Sequence, residues 1–246
     1  MNEPITARRV QRVRHELKRR DLEVTRVEAV GPHFKRITFG GESLADFVSA
    51  SFDDHVKLIL DAGSGAPVMR DYTPRRVDTK LCELDIEFAL HGDGPAATWA
   101  AQAAPGQRAT LGGPRGSFIV PTDFDWHLLI GDETALPAVA RRLEELPAGT
   151  RAIVRLAVAD PADRRVLASA ADVDLQWADT DAALLAAVRA LALPAGEGYA
   201  WCAGEAGTTA ELRRVLVDDK GHDRQAIRAA AYWKRGAIAH HENLEG

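Results

Sequence analysis

Near residue 122 the hydrophobic pattern of the chain changes its period, and this change restricts the possible folds more than any other feature. The preceding segments are short, alternate or run apolar, and are separated by turns rich in Gly, Pro and Asp: 22–31, 34–41, 55–63, 81–92 and 107–120. Several such strands at regular spacing predict an antiparallel β-barrel or sandwich. One short helix, 95–103, interrupts them, and its first residue, Pro95, suits a first helical turn.

The second half alternates strands with amphipathic helices. The strand candidates are 126–133, 151–160, 173–179, 198–205 and 225–236, and the helix candidates are 134–146, 180–193 and 207–220. Buried strands that alternate with helices predict a parallel sheet with helices on both faces. We therefore expect two domains, a β-barrel at 1–122 and an α/β domain at 123–246.

Charge and composition exclude some classes of protein. The net charge is -5 and the pI is near 5.9, so there is no positive excess for binding nucleic acid. No window approaches the roughly 18 apolar residues of a membrane span. The two cysteines, Cys82 and Cys202, form no metal or disulfide pattern, which fits the cytoplasm. The basic run at 8–20 is interpreted as a solvated first helix, with an anionic binding surface as the alternative.

The segment "VMRDYTPRRVD" at 68–78 is unusual for a strand followed by a turn. Alternation along a strand places Arg70 and Tyr72 on the same side, and Pro74 predicts a turn directly after Thr73. A cation can neutralise a phosphate, an aromatic ring can lie along a flat heteroaromatic ring, and a hydroxyl can bond a ring nitrogen. The alternative is a solvated edge strand without a ligand.

Two further positions suggest nucleotide binding. The segment "HGDGPAATWA" at 91–100 places two glycines before a helix start, where exposed N–H groups can bind a pyrophosphate. Parallel sheets bind ligands beyond the carboxyl ends of their strands. A barrel placed at that edge could hold one planar cofactor against another, an arrangement that suits hydride transfer.

These segments, taken in order, resemble the siderophore-interacting flavoproteins of the ferredoxin–flavodoxin reductase superfamily. The resemblance covers nearly the whole chain, and its most specific parts are "GDETALPA" at 131–138 and "YWKRG…HHE" at 232–242. It implies that the first domain binds FAD and the second a reduced nicotinamide, NADH or NADPH. It also implies that the pair reduces ferric iron held by a siderophore.

The resemblance assigns roles in the first domain. Arg70, Tyr72 and Thr73 would contact the flavin and its ribityl or phosphate portion. The diphosphate loop would be shaped by His91, Gly92, Gly94, Pro95 and Ala96. Ala97 stands where the family commonly has a serine, so that Thr98 or backbone N–H groups would have to supply the phosphate contact. Trp99 is interpreted as a packing residue.

The second domain lacks the G-x-G-x-x-G fingerprint, which argues against FAD binding there. At the carboxyl end of its first strand lie four candidate cofactor-binding residues, Gly131, Asp132, Glu133 and Thr134. Two carboxylates would repel a pyrophosphate, so Asp132 and Glu133 are expected to cap the helix or to face the nicotinamide. Gly204 and Glu205 should lie on the same edge. A βα turn without a ligand is the alternative.

Positive side chains are expected around the substrate, because ferric siderophores are often anionic. By resemblance the candidates are Lys57, Lys234 and Arg235, and the alternative for each is an ordinary surface cation. Adjacent residues rarely reach one ion, so "AHHE" at 239–242 is not predicted to be a metal site. Tyr232 and Trp233 would either cover the flavin or complete a packed strand.

The sequence thus predicts a monomeric, cytoplasmic, FAD-dependent ferric-siderophore reductase. NADH, NADPH and reduced ferredoxin all stay open as the electron donor. One alternative is a general flavin or ferredoxin-type reductase, and another is a siderophore-binding protein without turnover. No nucleic acid, membrane or resident metal is expected.

Overall fold

The computed structural model has two large sheets, one from each half of the chain, and a small two-stranded sheet. It describes residues 9–60, 67–90 and 94–237, and the backbone of residues 242–243. The first sheet has seven antiparallel strands, and the second has six strands that are parallel except for the last. The predicted combination of an antiparallel barrel and a parallel α/β sheet is confirmed.

The first sheet is strongly curled. In chain order its strands are β2 (Arg19–Gly31), β3 (Phe34–Gly40), β4 (Val56–Leu60), β5 (Val68–Tyr72), β6 (Pro74–Asp78), β7 (Glu83–Ala89) and β8 (Arg108–Gly112). Their spatial order is β5-β4-β8-β2-β3-β7-β6, so β5 and β6 occupy opposite edges. Only Thr73 separates these two strands along the chain. The sheet therefore has to curl until its edges almost meet, and it forms an open barrel.

Alternating apolar residues fill this barrel. Leu84, Ile86 and Phe88 of β7 are fully buried in its core, as the period-2 pattern predicts. Helix α1 (Pro95–Ala101) covers one end and buries Ala96 and Ala100.

The basic N-terminal run is not a helix where the structure describes it. Residues Gln11–Arg14 form β1, which pairs antiparallel with β9 (Gly116–Ile119), and Arg19 already begins β2. The helix prediction was wrong because pairing with a distant strand overrode local helix propensity. The arginines of β1 are exposed, as expected for a solvated segment.

The second sheet has helices packed on it. Its strands are β10 (Trp126–Gly131), β11 (Arg151–Ala157), β12 (Asp172–Ala178), β13 (Gly198–Glu205), β14 (Ile227–Trp233) and β15 (Glu242–Asn243), in the order β12-β11-β10-β13-β14-β15. The helices are α2 (Leu136–Glu145), α3 (Asp181–Ala190) and α4 (Ala206–Arg214), the last continuing as a π-helical turn, Val215–Asp219. β14 ends three residues before the predicted strand does.

The two halves share an apolar core. Phe34 and Phe52 from the barrel half pack in one cluster with Leu136 and Val139 of α2. The apolar side chains buried at this junction hold the two halves in a defined orientation. The carboxyl ends of β10, β13 and β14 therefore face the barrel at a fixed position.

Candidate functional site

A cavity of about 1000 Å³ lies at the junction of the two halves. Pockets that bind cofactors or drug-sized ligands fall in the range of roughly 300–1,000 Å³. Both halves contribute predicted site residues to its lining: Lys57, Arg70, Tyr72, Gly94, Pro95, Ala96, Ala97, Glu133 and Thr134. The curled sheet and the parallel sheet thus bring residues that are distant in sequence to one place.

Strand β5 supplies a cation and an aromatic ring to this cavity. Arg70 and Tyr72 both line it, as strand alternation predicts. The Tyr72 ring lies 4.3 Å from the Phe88 ring, centroid to centroid, at a tilt of 46°. Burial raises the pKa of Tyr72 to about 12, so its hydroxyl stays protonated at neutral pH. The Arg70 guanidinium donates to the Met69 carbonyl at 2.9 Å.

Thr73 lies behind the cavity wall instead. It is buried, and its hydroxyl contacts Tyr232 of β14. The Tyr232 hydroxyl also donates to Asp53 at 3.3 Å, and Asp53 forms a buried ion pair with Arg228. Thr73 therefore connects the junction between β5 and β6 to the second sheet.

Lys57 of β4 faces Asp71 across the strand pair. Their register places the two residues opposite each other, and Lys57 Nζ donates to Asp71 Oδ1 at 2.7 Å. Both side chains line the cavity. The cation predicted to bind substrate is thus paired with a carboxylate that the sequence interpretation did not include.

The start of α1 forms another part of the wall. Gly94 caps the helix in an extended conformation, and Pro95, Ala96 and Ala97 follow along the cavity. The predicted loop residues His91 and Gly92 lie outside the described residues. N–H groups of a first helical turn have no partner within the helix, so Ala96 and Ala97 can offer theirs to a ligand.

Thr98 lies on a second cavity of about 770 Å³, which shares Val68 and Pro95 with the first. Trp99 also lines this second cavity. The Trp99 ring stacks on the Phe39 ring at 6.1 Å and 7°, so it packs on the barrel core as predicted.

The end of β10 and the turn after it contain four predicted residues, and two of them reach the cavity. Glu133 and Thr134 line it, and Glu133 Oε1 also accepts a hydrogen bond from the Ala159 N–H at 2.7 Å. Asp132 is buried and directed toward neighbouring strand ends. Burial raises the pKa of Asp132, and hydrogen bonds from Thr134 and Trp233 oppose that rise. A Cβ at Gly131 would lie 2.7 Å from the Ala203 carbonyl oxygen, so the turn requires glycine there.

Gly204 and Glu205 end β13 beside this turn. Glu205 caps α4, because its Oε2 accepts from the Thr208 N–H at 2.9 Å. Burial opposes its ionisation, but the N–H donors of Thr208 and Arg235 outweigh burial and lower the pKa of Glu205. Among the described residues, neither Gly204 nor Glu205 lines the large cavity.

Lys234 and Arg235 follow β14 in a tight turn. The Ala237 N–H donates to the Lys234 carbonyl at 3.0 Å, and Arg235 pairs with Asp181 at 3.2 Å. Trp233 and Ala237, on either side of the two cations, line the cavity. The cations therefore lie at its edge rather than in its described wall.

The structure adds lining residues that the site prediction omitted: Phe34, Val68, Met69, Asp71, Ala89, Pro137, Tyr232, Trp233 and Ala237. Phe34 and Ala89 read as ordinary core positions in the sequence, and nothing in their neighbourhood marks them. Tyr232 and Trp233 stood beside the predicted cations, and this proximity was the available signal.

Comparison with known proteins identifies the family. Residues 124–236 match the family model described as siderophore-interacting protein, and residues 23–66 and 61–118 match the siderophore-interacting FAD-binding domain. The chain belongs to this family. The predicted family and the predicted FAD cofactor are confirmed.

Individual relatives agree with this assignment. The NADPH-dependent ferric-chelate reductase of Escherichia coli K12 is 37% identical over 93% of this chain and 98% of its own length. A siderophore utilization protein from T. fusca has a TM-score of 0.86 at 34% identity, covering 94% of this chain and 98% of its own. The FAD/NAD-binding domain of nitric oxide dioxygenase from Vibrio cholerae shares the fold, with a TM-score of 0.67 at 14% identity over 87% and 98%.

Two further observations concern metals and membranes. Within the described ranges, one group combines side chains of metal-ligand type, His33, Asp160 and Asp163, and His33 Nδ1 lies 2.7 Å from Asp163 Oδ2. The two histidines of "AHHE" lie outside the described residues. No helix in the described part of the chain is long and apolar enough to cross a membrane.

Proposed function

We propose that this protein is an NAD(P)H-dependent flavoprotein that reduces ferric siderophores and thereby releases Fe(II). The proposal rests on the cavity at the junction of the two halves, which occurs in a chain that belongs to the siderophore-interacting family. The barrel half lines it with Arg70 and Tyr72, and the strand ends of the second sheet line it with Glu133 and Thr134. A donor bound at the strand ends and a flavin bound at the barrel would meet there.

The cavity residues fit FAD. Its volume of about 1000 Å³, an aromatic ring at Tyr72, a guanidinium at Arg70 and a helix start at Gly94 suit a flat ring system joined to a diphosphate. We propose that Arg70 and Tyr72 hold the flavin portion and that residues 94–97 hold the diphosphate. The corresponding division is an FAD-binding domain at 1–122 and a nicotinamide-binding domain at 123–246.

Bound FAD supplies two-electron acceptance from the nicotinamide and single-electron donation to iron, which side chains lack. The residues of this chain bind and orient the partners. Lys57, Lys234 and Arg235 attract an anionic ferric chelate to the cavity, and Tyr72 stays neutral beside it. Iron is released because Fe(II) binds hard oxygen donors far less tightly than Fe(III).

Anaerobic mixing tests this function. The purified protein is mixed with NADPH or NADH while the flavin absorbance is followed, and a ferric chelate and an Fe(II)-trapping chelator are then added. We expect bleaching first and trapped Fe(II) second. Bleaching without trapped Fe(II) would indicate a general diaphorase. Rates with free flavin and ferric citrate that equal the rate with a ferric siderophore would indicate a general reductase. A protein that stays colourless with excess FAD would refute the proposal.

A variant locates the substrate side of the site. Lys234→Ala is expected to raise the KM for an anionic ferric chelate more than it slows bleaching by the nicotinamide. We expect this result because Lys234 lies in the chain between Trp233 and Ala237, which both line the cavity. Equal damage to both half-reactions would remove Lys234 from the substrate site.

The donor, partners and location complete the proposal. NADPH is the donor named for the Escherichia coli relative, and we propose NADPH or NADH here, with reduced ferredoxin as the alternative. We further propose a monomer located in the cytoplasm, where reduced nicotinamides are available. The free thiols Cys82 and Cys202 are compatible with that reducing compartment.

A further inference from the structure

The Asp132 carboxylate lies where three adjacent strands end. It directly follows β10, and it contacts the last residue of β13 and the last residue of β14. Its Oδ1 accepts hydrogen bonds from the N–H and the hydroxyl of Thr134, at 2.9 and 2.5 Å. Its Oδ2 accepts from the Glu205 N–H at 2.9 Å and from the Trp233 indole Nε1–H at 2.7 Å. Four donors fill the roughly four acceptor positions of a carboxylate, so Asp132 has none left for a cofactor.

The neighbouring backbone is shaped around this carboxylate. Gly204 has a φ of 144°, in a region that favours glycine. A Cβ at Gly204 would lie 2.5 Å from Asp132 Oδ2. The glycine of β13 therefore makes room for the carboxylate of the β10 turn, and the "GDET" and "AGE" segments form one unit.

A short segment beyond β14, here called the basic turn (Trp233–Ala237), is attached to that unit. Asp132 holds its first residue through the indole, and Glu205 Oε1 accepts from the Arg235 N–H at 3.3 Å. Gly236, with a φ of 78°, closes the turn. Because Trp233 and Ala237 both line the cavity, the placement of the turn decides where Lys234 stands relative to it.

We propose that Asp132 is a positioning residue that acts through Trp233: it fixes the basic turn at the cavity edge and so sets the affinity for the ferric substrate. The inference rests on the proposed function and assigns Asp132 to the substrate side. A lysine on an unanchored segment loses conformational freedom when it binds, whereas a backbone already held in place reduces that loss. The Trp233 indole, 36% exposed, presents its ring to the cavity while its N–H is held from behind.

The indole N–H signals of the holoprotein test the contact without measuring turnover. The chain has five tryptophans, and Trp233→Phe identifies the signal of interest by its loss. Asp132→Asn leaves at most a neutral amide oxygen to accept the indole N–H, so we expect this signal to move upfield and its exchange with water to accelerate, by about tenfold where the bond to the charged group is lost. The other four signals should stay in place. An unchanged Trp233 signal in folded Asp132→Asn would overturn the proposal.

Kinetics of Trp233→Phe test the consequence and do not require Asp132→Asn to fold. This change removes the donor and keeps a ring. We expect the KM for an anionic ferric tris-catecholate complex to rise about fivefold, which is within the value of one hydrogen bond to a charged group. The rate of flavin bleaching by NADPH should fall by a smaller factor. Trp177→Phe removes another part-buried indole, which lies on β12 at the far edge of the same sheet. This control should change neither the KM nor the rate of flavin bleaching.

The two failures are distinguishable. If the native protein bleaches but reduces no ferric chelate, the proposed function fails, while the indole signals still report whether Asp132 holds Trp233. If the native protein reduces the chelate and Trp233→Phe leaves its KM unchanged, or slows both half-reactions equally, the positioning role is refuted and the function stands.

Discussion

Lys57 is restrained by its neighbour Asp71, and this pairing sets how strongly it can attract an anion. The Lys57 side chain is 45% exposed and that of Asp71 18%, so solvent screens the pair and its net strength is about 0.2–1 kcal/mol. A negative charge beside the cation also opposes an incoming anionic chelate. Asp71 thus weakens the attraction that Lys57 can exert on an anion.

Asp71→Asn should therefore lower the KM for an anionic ferric chelate two- to fivefold, because this range corresponds to about 0.4–1 kcal/mol. The measurement is steady-state reduction of a ferric tris-catecholate. Glu83→Gln is the matched control, because it removes one negative charge from the Arg76 pair at the far end of β7. A lower KM that appeared equally with an uncharged ferric hydroxamate would contradict an electrostatic cause.

In the proposed site Tyr72 holds FAD through its aromatic ring, and its hydroxyl takes no part in proton transfer. Tyr72→Ala removes the ring that lies against Phe88, and we expect FAD to bind at least tenfold more weakly, since a buried aromatic contact is worth about 0.5–1.5 kcal/mol beyond its area. The flavin-to-protein absorbance ratio after gel filtration measures the loss. Tyr72→Phe keeps the ring and should keep the flavin; loss of flavin from both variants alike would point to the hydroxyl.

At the scale of elements, β10 contains a histidine whose burial makes folding depend on pH. Burial, together with a smaller effect of the nearby Arg142 cation, lowers the pKa of His127 to about 4. The unfolded chain takes up a proton near pH 6.5, whereas the folded chain does not until near pH 4. The stability that the neutral imidazole provides is therefore present above pH 6.5 and is lost as the pH falls toward 4.

His127→Gln should remove about 2 kcal/mol of the loss in unfolding free energy between pH 7 and pH 5. Urea unfolding at the two pH values measures it. His33, in the β2–β3 turn, has the opposite sign: its hydrogen bond to Asp163 raises its pKa, so its contribution is present below pH 6.5 and is lost as the pH rises through the folded value. His33→Gln should leave the acid-side loss in place, and a flattened slope in that variant would refute the assignment to His127.

The elements also show what the sequence could and could not predict. Alternation on β5 was enough to place Arg70 and Tyr72 on one side, and the strand–helix alternation was enough for the parallel sheet. The partner of Lys57 depended on the register between β4 and β5, which no local pattern contains. The direction of Asp132 depended on three strand ends meeting, and the strand at 11–14 depended on a partner about 100 residues away.

At the scale of the whole molecule, Glu87 joins the two halves. Its side chain is completely buried, and guanidinium groups of Arg36, Arg75 and Arg165 surround it. Arg165 follows β11 in the second half, whereas the other two belong to the barrel half. A buried carboxylate between several cations is costly to remove, because the cations lose their compensating charge.

Glu87→Ala should reduce the free energy of unfolding by about 3 kcal/mol and separate the melting of the two halves into two transitions. Calorimetry with a tryptophan fluorescence melt would record this. Glu211→Ala is the matched control, since Glu211 also pairs with two arginines but is partly exposed and lies within the second half. A single unshifted transition in Glu87→Ala would show that the remaining contacts, among them the apolar core and the Asp53–Arg228 ion pair, are enough to join the halves.

The single residue between β5 and β6 has a consequence for how a cofactor enters and leaves. A span of one residue leaves the two edges of the barrel no slack, and the Thr73 contact to Tyr232 fastens that point to the second half. The two edges of the barrel cannot separate at Thr73 unless the strand pairing of β5 or of β6 is broken. Flavin exchange would then use the opening between the two halves, on the side where Trp233 and Ala237 also line the cavity.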